Sequence, residues 1–185
     1  MSAPSAFAVR APFHYSADAG GVEVDAVEDA AEAPAFITNV FIEVLSFGQR
    51  FFWLHVSESP TAQCVPRIGA CSVAVGLQLS GDGGRTTVSA APLMDVEAAQ
   101  TADTSAGTMG SPQSVFAASL SQRLVRGIVK RHGVQTTIYV CCAIEGERSL
   151  ALLGTGGGSG FGMTYSFGAF VHAESMKALS RCWAA

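Results

Sequence analysis

Two apolar runs lying side by side constrain this chain more than anything else in it. AFITNVFIEVLSF, residues 35–47, and RFFWLHV, residues 50–56, are crowded with β-branched and aromatic side chains, and only Gly48 and Gln49 separate them. Runs of this kind around a short glycine-containing turn read as a hairpin. Strand alternation puts Phe52, Leu54 and Val56 on one side of the second run and Phe51, Trp53 and His55 on the other. A half-solvated antiparallel strand is apolar on one side and polar on the other. Here both sides carry bulk, so the strand is expected to be covered twice or to lie at an interface.

The rest of the chain supplies what such a hairpin packs against. IGACSVAVGLQL, 68–79, reads as a third strand after the Pro-containing loop 58–67. GDGG, 81–84, is a turn signal, and RTTVSAAPLM, 85–94, is a fourth strand that Pro92 is expected to end. Residues 95–113 are small, polar and of low complexity, which predicts a long disordered loop. SVFAASLSQRLVRGIVKRHG, 114–133, then repeats Phe116, Leu120, Leu124 and Ile128 at intervals of four, with Val125 and Val129 beside them. That is the apolar stripe of an amphipathic helix.

Ser111 with Pro112 behind it, or Ser114 one turn later, can cap the helix start, and Gly133 can end it. Lys130, Arg131 and His132 suit the negative end of the helix dipole. The opposite stripe holds Gln122, Arg123, Arg126 and Lys130, which on pattern alone is an ordinary solvated face. VQTTIYVCCAI, 134–144, is a fifth strand, and SLALL, 149–153, a sixth across an EGER turn. FGAFVHAESMKALSRCWA, 167–184, forms a closing helix. Four strands, a helix, two strands and a helix predict an α+β domain over 35–185: a mostly antiparallel six-stranded sheet or sandwich with two helices.

Composition bears on partners. Of 185 residues 49% are hydrophobic and only 14% charged, more apolar than a lone soluble domain of this size requires, which points to a subunit interface. The net charge of −4 gives no basic field for nucleic acid or anionic lipid. Residues 1–34 carry six acids and one base, and their Ala, Ser, Asp and Glu content predicts a mobile acidic arm. The five cysteines have no CxxC spacing, so reduced thiols in a cytoplasmic or nuclear protein fit better than a disulfide framework or a structural zinc site. The start lacks the basic and apolar regions of a secretory signal. The uncharged stretch 149–173 is interrupted by seven glycines, unlike the continuous apolar run of a membrane-spanning helix.

Those glycines are also the strongest lure toward an enzyme. Six fall between Gly154 and Gly162, yet no lysine follows until Lys177, which fails the phosphate-binding loop. The dinucleotide pattern G-x-G-x-x-G meets Ser159, Phe161 or Met163 where its last glycine should be. The pattern G-x-S-x-G fails around Ser159, where Phe161 stands in the final position. His14, His55, His132 and His172 form no metal-ligand spacing, and no carboxylate pair stands out. The stretch is therefore read as a linker at 154–162, with no catalytic, cofactor or metal site. A nucleotide-binding protein using it is the least favoured alternative, behind a generic profilin-like or trafficking-adaptor scaffold.

The order and wording of several segments resemble the proteasome assembly chaperone 4 family. FFWLHV, CSVAV, TTVSAAPLM, SLSQRLVR, QTTIYVCCAI and SLALL carry the resemblance over roughly residues 36 to 154, and Leu120 to Arg126 is its most specific piece. It implies a β-sandwich-like α+β subunit without enzymatic activity. Such a subunit would pair with a proteasome assembly chaperone 3-like partner and bind proteasome α subunits while the α ring forms. Matched residue by residue, it offers Gln122, Arg123 and Arg126 as contact candidates, with Lys130 on the same helix face. The acidic arm, the 95–113 loop and the glycine stretch exceed the compact family pattern. The last helix also lacks the strongly charged character expected there.

Overall fold

The computed structural model describes residues 5–15, 36–59, 67–78, 86–94, 111–144 and 167–184. In chain order these are β1 (Ser5–Tyr15), β2 (Phe36–Ser46), β3 (Phe51–Ser59), β4 (Ala70–Gln78), β5 (Thr86–Met94), α1 (Pro112–His132), β6 (Thr136–Ala143) and α2 (Phe167–Ala184). The strands form one sheet in the order β1-β2-β3-β6-β4-β5. Neighbours run antiparallel except β3 and β6, which pair in parallel at the centre. The fold is thus α+β, a mixed and mostly antiparallel six-stranded sheet with two helices.

Two antiparallel triplets, β1-β2-β3 and β6-β4-β5, meet at that parallel seam. Helix α1 lies against β4, β5 and β6, while α2 lies against β1 and β2 and touches α1. Both helices cover the same face. Val40, Ile42 and Val44 of β2, Phe52, Leu54 and Val56 of β3, and Ile138, Val140 and Cys142 of β6 join Leu120, Leu124 and Ile128 of α1 and Val171 and Leu179 of α2 in one buried cluster. Burying each such large aliphatic or aromatic side chain contributes about 1.5–3 kcal/mol.

The local chemistry of α1 agrees with its sequence. The Ser111 hydroxyl accepts from the Ser114 amide at 3.2 Å, Pro112 opens the helix, and Gly133, at φ 67°, ends it by donating its amide to Val129 at 2.8 Å. Gly76 lets α1 approach β4 closely: a Cβ there would run into Val125 and come within 3.0 Å of Val129. Beside it, the Ser121 hydroxyl donates to the Ala118 carbonyl at 2.9 Å. Ser72 Oγ, 2.9 Å from Ser121 Oγ, therefore donates to it, so this buried polar pair is satisfied and ties helix to strand.

Three expectations change. Residues 5–15, assigned above to the mobile arm, form β1, paired with β2 along its whole length from Ser5 opposite Ser46 to Tyr15 opposite Phe36. Phe7, Val9 and Ala11 alternate with Ala6, Ala8 and Arg10, a period-two signal masked by averaging the acidic charge of residues 18–32 over the whole segment. Second, Pro92 does not end β5, which continues to Met94. β5 lies at the sheet edge, where a missing N–H costs no ladder bond, and the register with β4 shifts just there, between Cys71 and Ser72. Third, β3 continues to Ser59, past the predicted start of the loop. The expected strand at 149–153, the linker at 154–162, the rest of the acidic arm and the 95–113 loop up to residue 110 lie outside the described residues.

Candidate partner-binding face

The helices leave the second face of the sheet uncovered, and its occupants follow from the register. One transverse row reads Ala8, Glu43, His55, Cys141, Cys71, Met94 from β1 to β5. The next reads Ala6, Leu45, Trp53, Tyr139, Val73, Ala91. Phe51 lies one step beyond, opposite Thr137.

Apolar residues dominate this face where solvent would favour polar ones. Leu45 is 44% exposed, Phe51 51%, Trp53 40% and Met94 41%. Trp53 and Tyr139 stack across the central parallel pair, with ring centroids 5.9 Å apart and planes inclined by 17°. The two rings border a hollow of about 270 Å³ with Phe47, Phe51 and Phe52. A second hollow, of about 830 Å³, opens over the Glu43–His55–Cys141–Cys71 row. Ile68, 73% exposed, stands on its wall.

That wall exists because the chain before β4 passes close over β6. Gly69 makes the crossing possible, since any Cβ there would overlap the Cys142 carbonyl and approach Ala143 Cα at 2.7 Å. The crossing brings the Arg67 carbonyl to 2.9 Å from His55 Nε2, while His55 Nδ1 lies 3.0 Å from Glu43 Oε2. A carbonyl only accepts, so Nε2 is the donor toward Arg67, while Nδ1 faces the Glu43 carboxylate. The His55 side chain is 14% exposed and that of Glu43 53%, so this polar group rises through an apolar surface to solvent. Arg10, also on this face, donates from Nε to Asn39 Oδ1 at 2.9 Å.

The residues singled out from the sequence lie on the other side of the molecule. Gln122, Arg123, Arg126 and Lys130 are all exposed on α1, which packs on the covered face. Spacings of four place Gln122, Arg126 and Lys130 in one stripe, with Arg123 beside it. Burial, and secondarily the Arg123 guanidinium, hold His172 of α2 below the ordinary imidazole range. Arg131 ties the helices together through a 3.4 Å bond from Nη1 to Ser180 Oγ. Gln122, Arg123, Arg126 and Lys130 thus form one solvated, mostly basic stripe.

Trp53 and Phe51 were legible in the sequence as residues on a strand with two bulky sides. Tyr139 and Leu45 were not singled out, and Cys71 and Cys141 were read only as packed, reduced thiols, because their shared face depends on pairing between distant strands. Among the described residues no group of three His, Cys, Asp or Glu side chains is arranged to hold a metal ion, and no helix is long and apolar enough to cross a membrane.

Among the described residues, what the fold and this face define is an α+β protein whose sheet is helix-covered on one side and apolar and open on the other. No protein-family model matches the chain, and neither a curated protein nor a solved structure was found to match it.

Proposed function

We propose that the chain is a non-enzymatic, partner-binding subunit that docks another protein on the open face of its sheet. The observation that carries this reading is the placement of Leu45, Phe51, Trp53 and Met94, each at least 40% exposed, on the one sheet face that neither helix covers. A contiguous apolar patch is the usual mark of a protein interface, and stacked aromatics near its centre are the residue types that supply affinity. A second helix-backed sheet laid on this face would complete a sandwich.

Among proteins that act in this way, the sequence resemblance favours an assembly chaperone of the proteasome core particle. On that reading the open face receives a proteasome assembly chaperone 3-like subunit. Gln122, Arg123, Arg126 and Lys130, on the far side, face proteasome α subunits as the α ring forms. The two surfaces do not compete, so both partners can be held at once. The proposal requires no cofactor, nucleic acid or membrane, and a cytoplasmic or nuclear setting suits it.

Capture of the tagged full chain from its own cells tests the proposal. A companion chaperone of similar size and one or more α subunits are expected in stoichiometric yield, with the companion lost from a Trp53→Asp variant that remains folded. Recovery of neither class of protein, or a companion indifferent to Trp53→Asp, would overturn it.

A further inference from the structure

Two of the cysteines meet on the open face. Cys71 and Cys141 are direct partners in the antiparallel β4–β6 pair, and both side chains line the 830 Å³ hollow. Directly opposed residues in such a pair have Cα atoms about 4.5–5.5 Å apart. A disulfide spans Cα separations of about 4.4–6.8 Å, so the backbone already holds the two at bridging distance. The Cys71 thiol points toward the Gly69 carbonyl at 3.7 Å.

We propose that Cys71 and Cys141 form a thiol–disulfide site that closes into a β4–β6 cross-strand disulfide on exchange with a small disulfide of the glutathione class. This site goes beyond the docking role and does not depend on it.

Burial, reinforced by the neighbouring Cys141 sulfur, pushes the Cys71 thiol up to about 12. Cys141 is the register partner of His55 at the centre of the same row. The Cys141 thiolate attacks one sulfur of the small disulfide through the hollow. That S–S bond breaks, one small thiolate leaves, and a mixed disulfide remains on Cys141. Cys71 then gives its proton to the departed thiolate and attacks the Cys141 sulfur, displacing the second small group as a thiolate that takes up the proton Cys141 released on ionising. Two protein thiols are oxidised to one disulfide, and one small disulfide is reduced to two thiols.

Cys142, next in sequence, makes a useful contrast. It faces the helices, away from the hollow, and burial raises its thiol, so a small disulfide has no route to it there.

The full-length chain, incubated with oxidised glutathione and then unfolded and alkylated, provides the test by intact mass and non-reducing peptide mapping. The native chain is expected to lose two hydrogens, with the Cys71 and Cys141 peptides joined and Cys142 and Cys182 alkylated. Cys71→Ser should stop at a stable glutathione adduct on Cys141, and Cys141→Ser should form no bridge. The closure rate should rise with pH, because the thiolate is the attacking species. A native chain that stays fully reduced at every glutathione ratio, or a bridge that uses Cys64, Cys142 or Cys182, would overturn the assignment. Should either serine variant precipitate, mapping of the native chain decides alone. Because the reading is made on the isolated chain, its failure would leave the docking proposal standing, and the reverse also holds.

Discussion

The two faces of this sheet are built from the same strands, often from adjacent residues, yet they serve opposite ends. Leu54 and Val140 on the covered face are essentially inaccessible, while Trp53 and Tyr139, their immediate neighbours in sequence, look outward. On the covered face apolar area is matched by two helices, and the Ser72 and Ser121 hydroxyls bond to each other. On the open face the apolar area has no such match, and the polar group at its centre, His55 with Glu43, leads to solvent. Hydrophobic side chains therefore do different work according to which way the pleat turns them. On one side they stabilise the fold, and on the other they are available for association.

The sharpest way to break that comparison is to truncate neighbours. Leu54→Ala should lower unfolding free energy by about 2–5 kcal/mol in urea denaturation, through lost burial and the cavity left behind. Trp53→Ala should cost only about 1 kcal/mol in the isolated chain, on the order of its stacking with Tyr139. Equal losses would mean that the two faces are equally buried. Binding should invert the ranking: Trp53→Ala is expected to weaken the captured partner by about 2 kcal/mol or more, roughly 30-fold in titration calorimetry.

Overpacking probes the covered side more finely. Gly76→Ala drives a methyl group into Val125 and should destabilise by about 1–3 kcal/mol, with thermal unfolding as the readout. Protonation offers a smaller effect. His172 binds its proton more weakly in the folded chain than in the unfolded one, whose value is near 6.5. Stability should therefore be level above about pH 6.5 and fall as the pH drops through the window below it, where the unfolded chain takes up the proton first. His172→Gln should flatten that limb of a pH series, and an unchanged limb would assign it to another group. The smallest change is expected from the triple variant Arg123→Ala, Arg126→Ala and Lys130→Ala. It should shift stability by no more than about 0.5 kcal/mol per site. In stopped flow it should slow α-subunit association, with a weaker salt dependence.

The elements of the covered face were legible because each is specified locally. The four-residue spacing from Phe116 to Ile128, the Ser111 and Gly133 caps and the Gly48 turn each announce themselves within a few positions. The 167–184 helix was read with the same boundaries that the structure gives it. The parallel pairing of β3 with β6 was not legible, because no local pattern selects it. It arises when two antiparallel triplets meet. β1 was hidden for a different reason, since a short alternating run preceded acidic sequence and the average won. The candidate site divides in the same way. The basic stripe on α1 and the outward bulk of RFFWLHV could be read from spacing, whereas the row that joins Glu43, His55, Cys141 and Cys71 required three strand pairings to be known together.

The placement of α2 has a consequence for how the molecule is made. Helix α2 follows all six strands in sequence, yet it covers β1 and β2, the first two. While the chain emerges from the ribosome, Val40, Ile42 and Val44 have no lid until residues 167–184 have been translated. For that interval the first triplet is apolar on both sides and vulnerable to aggregation. A slow ribosome would prolong that exposure, so this half of the sheet is where a nascent-chain holdase would have most to protect.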